Sequence, residues 1–410
     1  MQTDSAPRVK WRNLLVMAAA QLLAMSLWFS ASAVIPQLSA EWKLTAAQQA
    51  WMTLSVQIGF AAGALISGLL NLSDRIRLRH FIAMNIVLAA AANVMIAVAS
   101  HGASSAVAFR ALTGFALVGV YPPGMKFVAS WCREDRGLGI GLLIAALSVG
   151  NALPHLMNAL ALSGVAGMPP WRAIMLATSG LALLGAVLVA CFATTGPYLA
   201  ESAPFNWKFA RSVFADAPTR LANFGYLGHM WELYAMWAWA PLMLMAAYEL
   251  AGWSASAARV AGFFAIASGG VSCVLAGVLA DRIGRTTVTM VSMAVSGACC
   301  LVAGLLYHDP LWLTVVCIVW GFAVICDSAQ FSAAVSELAD RRYVGTALTV
   351  QTGVGFLLTS LSIWIIPVLR DLLGWERVFI ALAVGPVFGI WGMARLRRLP
   401  HALRMASGRR

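Results

Sequence analysis

Long apolar runs separated by short polar stretches dominate the chain. Twelve of them approach or exceed the roughly 20 residues an α-helix needs to cross a hydrocarbon core. They lie at 13–37, 49–71, 80–99, 104–128, 137–162, 171–194, 220–247, 256–280, 287–307, 310–334, 344–368 and 375–396. The pattern predicts an all-α integral membrane fold of twelve transmembrane helices, with charges interrupting the fourth, seventh and tenth. The first run follows Arg8, Lys10 and Arg12, and Ala31-Ser32-Ala33 imitates a signal-peptidase site. From Leu14 to Ile35 it exceeds the roughly 7–15 residues of a signal-peptide core, so it reads as a retained first span.

The runs repeat as a set. Gly277-Val-Leu-Ala-Asp281-Arg282-Ile-Gly284-Arg285 stands between the eighth and ninth, and Gly68-Leu-Leu-Asn71-Leu-Ser73-Asp74-Arg75-Ile-Arg77 stands between the second and third. Asp74-Arg75 and Asp281-Arg282 are 207 residues apart; Arg136 with Gly139 maps onto Arg342 with Gly345 at a step of 206, and Trp171 onto Trp375 at 204. Such spacing implies two pseudo-symmetric six-helix halves. The expected divisions are 1–194, a cytoplasmic linker 195–219 broken by Pro197, Pro204 and Pro218, and 220–410 with a basic tail. The stretch from Phe205 to Phe214 reads equally as an interfacial helix or a solvated connector.

Composition agrees with a bilayer location. The chain is 61% hydrophobic and 11% charged, whereas soluble domains carry about 25% charge. The net charge of +12 is scattered over short loops and forms no single basic surface, which argues against a nucleic-acid partner. With the N-terminus inside, 22 Lys and Arg fall in cytoplasmic segments and 5 on the outer side, so both termini are expected in the cytoplasm, at an inner membrane. The seven cysteines show no CxxC spacing and imply neither disulfides nor a metal site.

The Gly-x-x-x-Asp-Arg-x-Gly-Arg turn at Gly277–Arg285 resembles the signature of the major facilitator superfamily. The first-half copy departs from it, with Arg77 where a Gly is expected and two extra residues between Gly68 and Asp74. Arg110-Ala-Leu-Thr-Gly114 is similar to the family's fourth-helix motif, and Trp131–Gly137 to its basic turn between helices four and five. Gly150-Asn-Ala-Leu-Pro154 is a remnant of the motif associated with antiporters. The resemblance implies two rocking halves and a conformational switch at Asp281, Arg282, Gly284 and Arg285, echoed by Asp74 and Arg75. Two-half symmetry then puts Asp281 near the start of the fifth helix, around Gly137, where a carboxylate meets the positive end of a helix dipole.

Ionisable groups inside spans are functional candidates. Tyr226, His229 and Glu232 recur at steps of three, which places them along one face of the seventh span; Asp327 and Gln330 lie one turn apart in the tenth, and Arg110 lies in the fourth. At a step of 206, Glu232 falls opposite Ser26 and Asp327 opposite Tyr121, so the acids belong to the second half alone. Glu232, His229 and Asp327 are therefore the expected proton-coupling groups, since a carboxyl whose exposure changes with conformation loads and releases a proton. Arg110, Trp28, Tyr226, Trp320 and Gln330 are the expected substrate-binding residues. Lys126 reads as a snorkelling lysine and His155 as a packing residue.

No nucleotide-binding loop, metal-ligand cluster or nucleophile constellation occurs, which points to a non-enzyme without a cofactor. The leading expectation is proton-coupled uptake of a small polar or anionic solute by a monomer whose partners are that solute, protons and lipid. Proton-antiport efflux of drugs or amphipathic cations stays open beside it.

Overall fold

The computed structural model describes residues 5–70, 72–132, 135–160, 171–199, 207–340 and 344–409. Arg133, Glu134, Arg341 and Arg342 of the two basic turns, part of the 195–219 linker, and Asn71 lie outside them. The elements are helical throughout: α1 Ser5–Met25, α2 Ile35–Trp42, α3 Ala46–Leu70, α4 Leu72–Arg75, α5 Leu78–Ala99, α6 Ala103–Leu117, α7 Tyr121–Trp131, α8 Arg136–Leu160, α9 Trp171–Phe192, α10 Trp207–Ala215, α11 Ala217–Leu250, α12 Ala255–Ile283, α13 Arg285–Val302, α14 Pro310–Cys326, α15 Ser328–Leu338, α16 Val344–Leu373 and α17 Val384–Arg398. They make twelve membrane spans in two six-helix halves, with α1–α2, α6–α7 and α14–α15 each forming one broken span. Helices satisfy every internal backbone group without water, which is why apolar runs in lipid take this form.

Among the described residues, ten helical stretches are long and apolar enough to cross a membrane, with α6–α7 and α14–α15 each counted as one. The first and seventh spans are not among them. The first is interrupted after Met25, and the seventh, α11, carries a string of polar and aromatic side chains. These two helices hold most of the candidate site.

The breaks have local causes. Pro122 and Pro123 sit in the first turn of α7 and lack the N–H groups that would bond back to Val118 and Gly119. The chain tightens there, with Gly119 N–H donating to the Ala116 carbonyl and Val120 N–H to Leu117. The tenth span breaks at Asp327, the residue 206 positions after Tyr121, so both halves are hinged at one register. In the first span Ser26 and Ser30 turn their hydroxyls onto the carbonyls of Leu23 and Leu27, which competes with the regular ladder. The seventh span starts cleanly: the Asp216 carboxylate accepts from Thr219 N–H at 3.1 Å, and Pro218 occupies the first turn.

The halves meet along two helix pairs. The fifth and eighth spans touch from Gly141 against the Cys273 backbone at one end to Ser256 Oγ on the Ala159 carbonyl, 3.0 Å, at the other. The second and eleventh are joined at mid-depth by Thr359 Oγ1 donating to Gln57 Oε1 at 3.3 Å. Within the first half, Gly59 and Gly63 of the second span lie directly against the backbone of Ala111 and Phe115 in the fourth. A side chain at Gly59 would strike the Ala111 carbonyl, so only glycine permits that approach.

Candidate functional site

Tyr226, His229 and Glu232 do not form one line. A step of three residues on a helix of 3.6 per turn falls short by about 60°, so the three fan out over about 120°. Tyr226 packs on Gly355 of the eleventh span, and its ring centroid is 6.2 Å from that of Phe331 in the tenth. His229 faces the tenth span. Its Nδ1 is 2.8 Å from Asp327 Oδ1 and its ring centroid is 5.5 Å from that of Phe331. Glu232 turns toward the ninth and tenth spans. Ser296 Oγ donates to its Oε2 at 2.9 Å, while Cys300 Sγ at 3.1 Å and Trp320 Nε1 at 2.5 Å donate to its Oε1. Both acids and the imidazole are 1% exposed.

His229 therefore has Asp327, and not Glu232, as its partner. Their contact is close in distance but lacks hydrogen-bond alignment, and His229 Nε2 has no partner among the described residues.

Three residues expected to bind substrate are engaged elsewhere. Arg110 is fully buried, and its guanidinium grips the broken first span: Nε donates to Met52 O at 3.1 Å, Nη1 to Leu27 O at 2.7 Å and Ser30 Oγ at 3.3 Å, and Nη2 to Trp28 O. The Leu27 and Trp28 carbonyls lie just past the end of α1 and Met52 lies in the second span, so the arginine ties two spans of the first half together. Trp320 gives its N–H to Glu232 and sets its ring edge-on to Phe379 at 5.2 Å, within the second half. Gln330 accepts from Arg285 Nη1 at 2.7 Å and so belongs to the loop below.

Trp28 does reach the meeting surface of the halves, whereas Tyr226 packs on Gly355 and Phe331 of the second half. Around Trp28 gather Phe60 at 5.0 Å, Tyr234 at 5.5 Å and Phe356 at 5.7 Å between ring centroids, and Phe60 and Phe356 approach to 4.3 Å. Trp237 adds an edge contact to Tyr234 at 5.5 Å and to Phe29 at 6.2 Å. This aromatic assembly lies at mid-depth. Trp28 Nε1, Trp237 Nε1 and Gln57 Nε2 are buried and have no hydrogen-bond partner among the described residues.

At the arginine-rich side the expected switch takes a different form. Gly284 turns the chain at φ 94°, a conformation suited to glycine. Asp281 is exposed and lies 3.8 Å from Arg285 as an ion pair; its expected approach to the fifth helix falls on Arg136 and Gly137, whose side chains lie outside the described residues. The firm clamp is Arg285 with Glu337, a two-pronged contact with Nε at 2.8 Å and Nη2 at 2.6 Å. Ala406 N–H also donates to Glu337 at 3.2 Å, and Arg409 donates to the Asp281 carbonyl, so the C-terminal segment rests on the same turn. Arg282 and, in the first half, Arg75 are exposed; Asp74 lies in α4.

Sequence reasoning missed Ser296, Cys300 and Glu337, partners 64, 68 and 52 residues from the groups they hold. It also missed Phe60, Tyr234 and Phe356. Gln57 and Phe60 lie one turn apart on the second span, a polar–aromatic pairing that the signal contained. A groove lined by Leu22, Leu142, Ala145, Val149, Gly270 and Val274 is wholly apolar and lacks this chemistry. Among the described residues no group of His, Cys, Asp and Glu is arranged to hold a metal ion.

Two six-helix halves with hinged spans define a multi-pass membrane protein. The chain belongs to the Major Facilitator Superfamily, whose family model matches residues 17–363. It is 27% identical over 221 residues to the "Putative niacin/nicotinamide transporter NiaP" of Bacillus subtilis (strain 168). That match covers 52% of this chain and 53% of the other, so the chain spans about half the length of the curated relative it matches. Among solved structures, the proton:xylose symporter XylE bound to 6-bromo-6-deoxy-D-glucose superposes with a TM-score of 0.74 at 15% identity, covering 95% of this chain and 96% of that one. A bacterial homologue of the human lysosomal transporter Spinster, inward-facing and unoccupied, superposes with a TM-score of 0.71 at 14% identity, covering 95% and 97%. Likeness at that identity concerns the fold.

Proposed function

We propose that the protein takes up a small polar or anionic solute by proton-coupled alternating access. It acts as a monomer in the cytoplasmic membrane, with both termini inside. The observation that carries this reading is the pair of buried acids, Glu232 and Asp327, each 1% exposed and each confined to the second half. Their equivalents at a step of 206 are Ser26 and Tyr121, so the helical repeat does not require them. Buried ionisable groups in spans mark ion paths and proton relays. Glu232 is the proton carrier, because its three donors come from neutral side chains that hold either protonation state. Asp327 with His229 tunes the pH range.

The relative described for niacin or nicotinamide supports a solute of small size. The switch at Asp281, Arg282, Gly284 and Arg285, with its echo at Asp74 and Arg75, acts through the Arg285–Glu337 clamp on α15.

The test is solute accumulation in proteoliposomes under an imposed pH gradient. Accumulation on the side opposite the acid compartment supports symport. Solute expelled toward the acid side supports antiport, and gradient-independent equilibration removes proton coupling.

A further inference from the structure

We propose that the apolar groove at the lipid-facing seam of the halves holds one acyl chain of an anionic phospholipid, whose phosphate rests on Arg8, Arg12 and Arg282. The proposal is independent of the solute and of proton coupling.

Spans from both halves form the groove: α1 and α8 of the first and α12 of the second. Its volume is about 600 Å³, and Leu, Ala, Val and Gly alone line it. Ala18, Ala146 and Gly270 make a buried floor, where short side chains leave the space open. Leu15, Val271 and Leu275 are exposed at the rim, so the groove opens onto the bilayer. A wall without a polar group offers hydrocarbon the contacts it makes with other hydrocarbon and offers a polar solute nothing.

Two of the walls run into cations. Arg8, Arg12, Leu15, Ala19 and Leu22 follow one another at steps of four and three, so they share one face of α1. Val271, Leu275, Val278 and Arg282 do the same on α12. All three arginines are exposed, and none has a hydrogen-bond or ion-pair partner among the described residues. The nearby acids are taken, Asp135 by Lys10 at 2.6 Å and Asp281 by Arg285 at 3.8 Å. Arg12 stands ten residues from Leu22, about 15 Å along the helix. That is half of a hydrocarbon core roughly 30 Å thick. The groove is therefore one leaflet deep, with its arginines at headgroup level, and Trp11, exposed beside Arg12, suits the same interface. The positive-inside tendency gathers arginines at this end of many spans, but it does not set them on the two faces that bound the groove.

Thermal unfolding of the full-length protein in detergent is the test, since a ligand of the folded state raises Tm. The probes are phosphatidylglycerol and phosphatidylcholine with the same acyl chains, and glycerol 3-phosphate as a headgroup without chains. Phosphatidylglycerol should raise Tm at lower concentration than phosphatidylcholine, and glycerol 3-phosphate should leave Tm unchanged. Arg8→Gln combined with Arg12→Gln should weaken phosphatidylglycerol binding about fivefold for each charge removed. Arg398→Gln combined with Arg404→Gln removes the same charge from exposed positions off the groove and should leave binding unchanged. Ala19→Phe, at an exposed position of the lining, should obstruct the chain and weaken both lipids. The unliganded Tm of each variant reports folding, and the three-probe comparison on the unaltered protein stands even if a variant fails to fold. Equal rises with the two lipids, a rise with glycerol 3-phosphate, equal losses from the two arginine pairs, or undiminished binding by folded Ala19→Phe would overturn the proposal. So would a dimer in detergent that Ala19→Phe splits, which gives the groove to a second copy of the chain.

Discussion

Arg110 illustrates how a charge in a membrane span can be answered by backbone. Its planar fork reaches carbonyls of two neighbouring spans at once, a geometry an ammonium cannot reproduce. Arg110→Lys should therefore lower stability by about 1–3 kcal/mol, the cost of leaving buried acceptors unpaired. The thermal shift produced by a bound solute should stay the same. Unaltered stability with a lost shift would instead make Arg110 a ligand-binding group. At the surface, Lys10 Nζ lies 2.6 Å from Asp135 Oδ2. Partial burial works against the Asp135 charge, but the Lys10 hydrogen bond and charge prevail and hold the carboxyl below its ordinary 3.8. The contact is thus fully present above that value and is lost as pH falls through the lower folded one. Being half-exposed, it contributes at most about 1 kcal/mol. The Tm gap between wild type and Lys10→Met should close on acidification and be constant near neutrality.

α15 is the element that ties the interior to the arginine-rich side. One end begins at Asp327, facing His229, and the other is held by Arg285 on Glu337. Losing one partner of a partly buried, two-pronged pair should free that half-helix. Glu337→Gln should increase labelling of an introduced Ala334→Cys from the cytoplasmic side, in a background lacking the native cysteines. The effect should exceed that of Asp281→Asn, because Asp281 is exposed and 3.8 Å from its partner. Equal labelling in all three proteins would remove the switching role from the clamp. Much of this element was legible beforehand. The tenth span was expected at 310–334 and runs as α14 and α15 over Pro310–Leu338. Pro122-Pro123 announces the hinge of the fourth span, since proline lacks the donor that a continuous helix needs. The hinges at Met25 and Asp327 carry no such mark, because serine and aspartate disrupt a helix only through the partners they find. Side-chain pairing was the least legible part. The three-residue spacing of Tyr226, His229 and Glu232 suggested a shared face, but the lag of each step turned Tyr226 to the eleventh span, His229 to the tenth, and Glu232 to the ninth and tenth together.

For the whole molecule, the repeat explains the scaffold and its exceptions explain the function. The hinges of the fourth and tenth spans match across the halves, and the acids do not. Glu232→Gln preserves the shape of the protonated acid and removes its proton exchange. The decisive measurement compares accumulation and solute exchange in the same proteoliposomes, using a solute found by thermal-shift screening. The variant should lose gradient-driven accumulation while retaining a substantial part of exchange, because exchange requires no net proton movement; His229→Gln should shift the pH optimum and keep accumulation. Accumulation by Glu232→Gln equal to that of the wild type would contradict the coupling role of Glu232 and transfer it to Asp327.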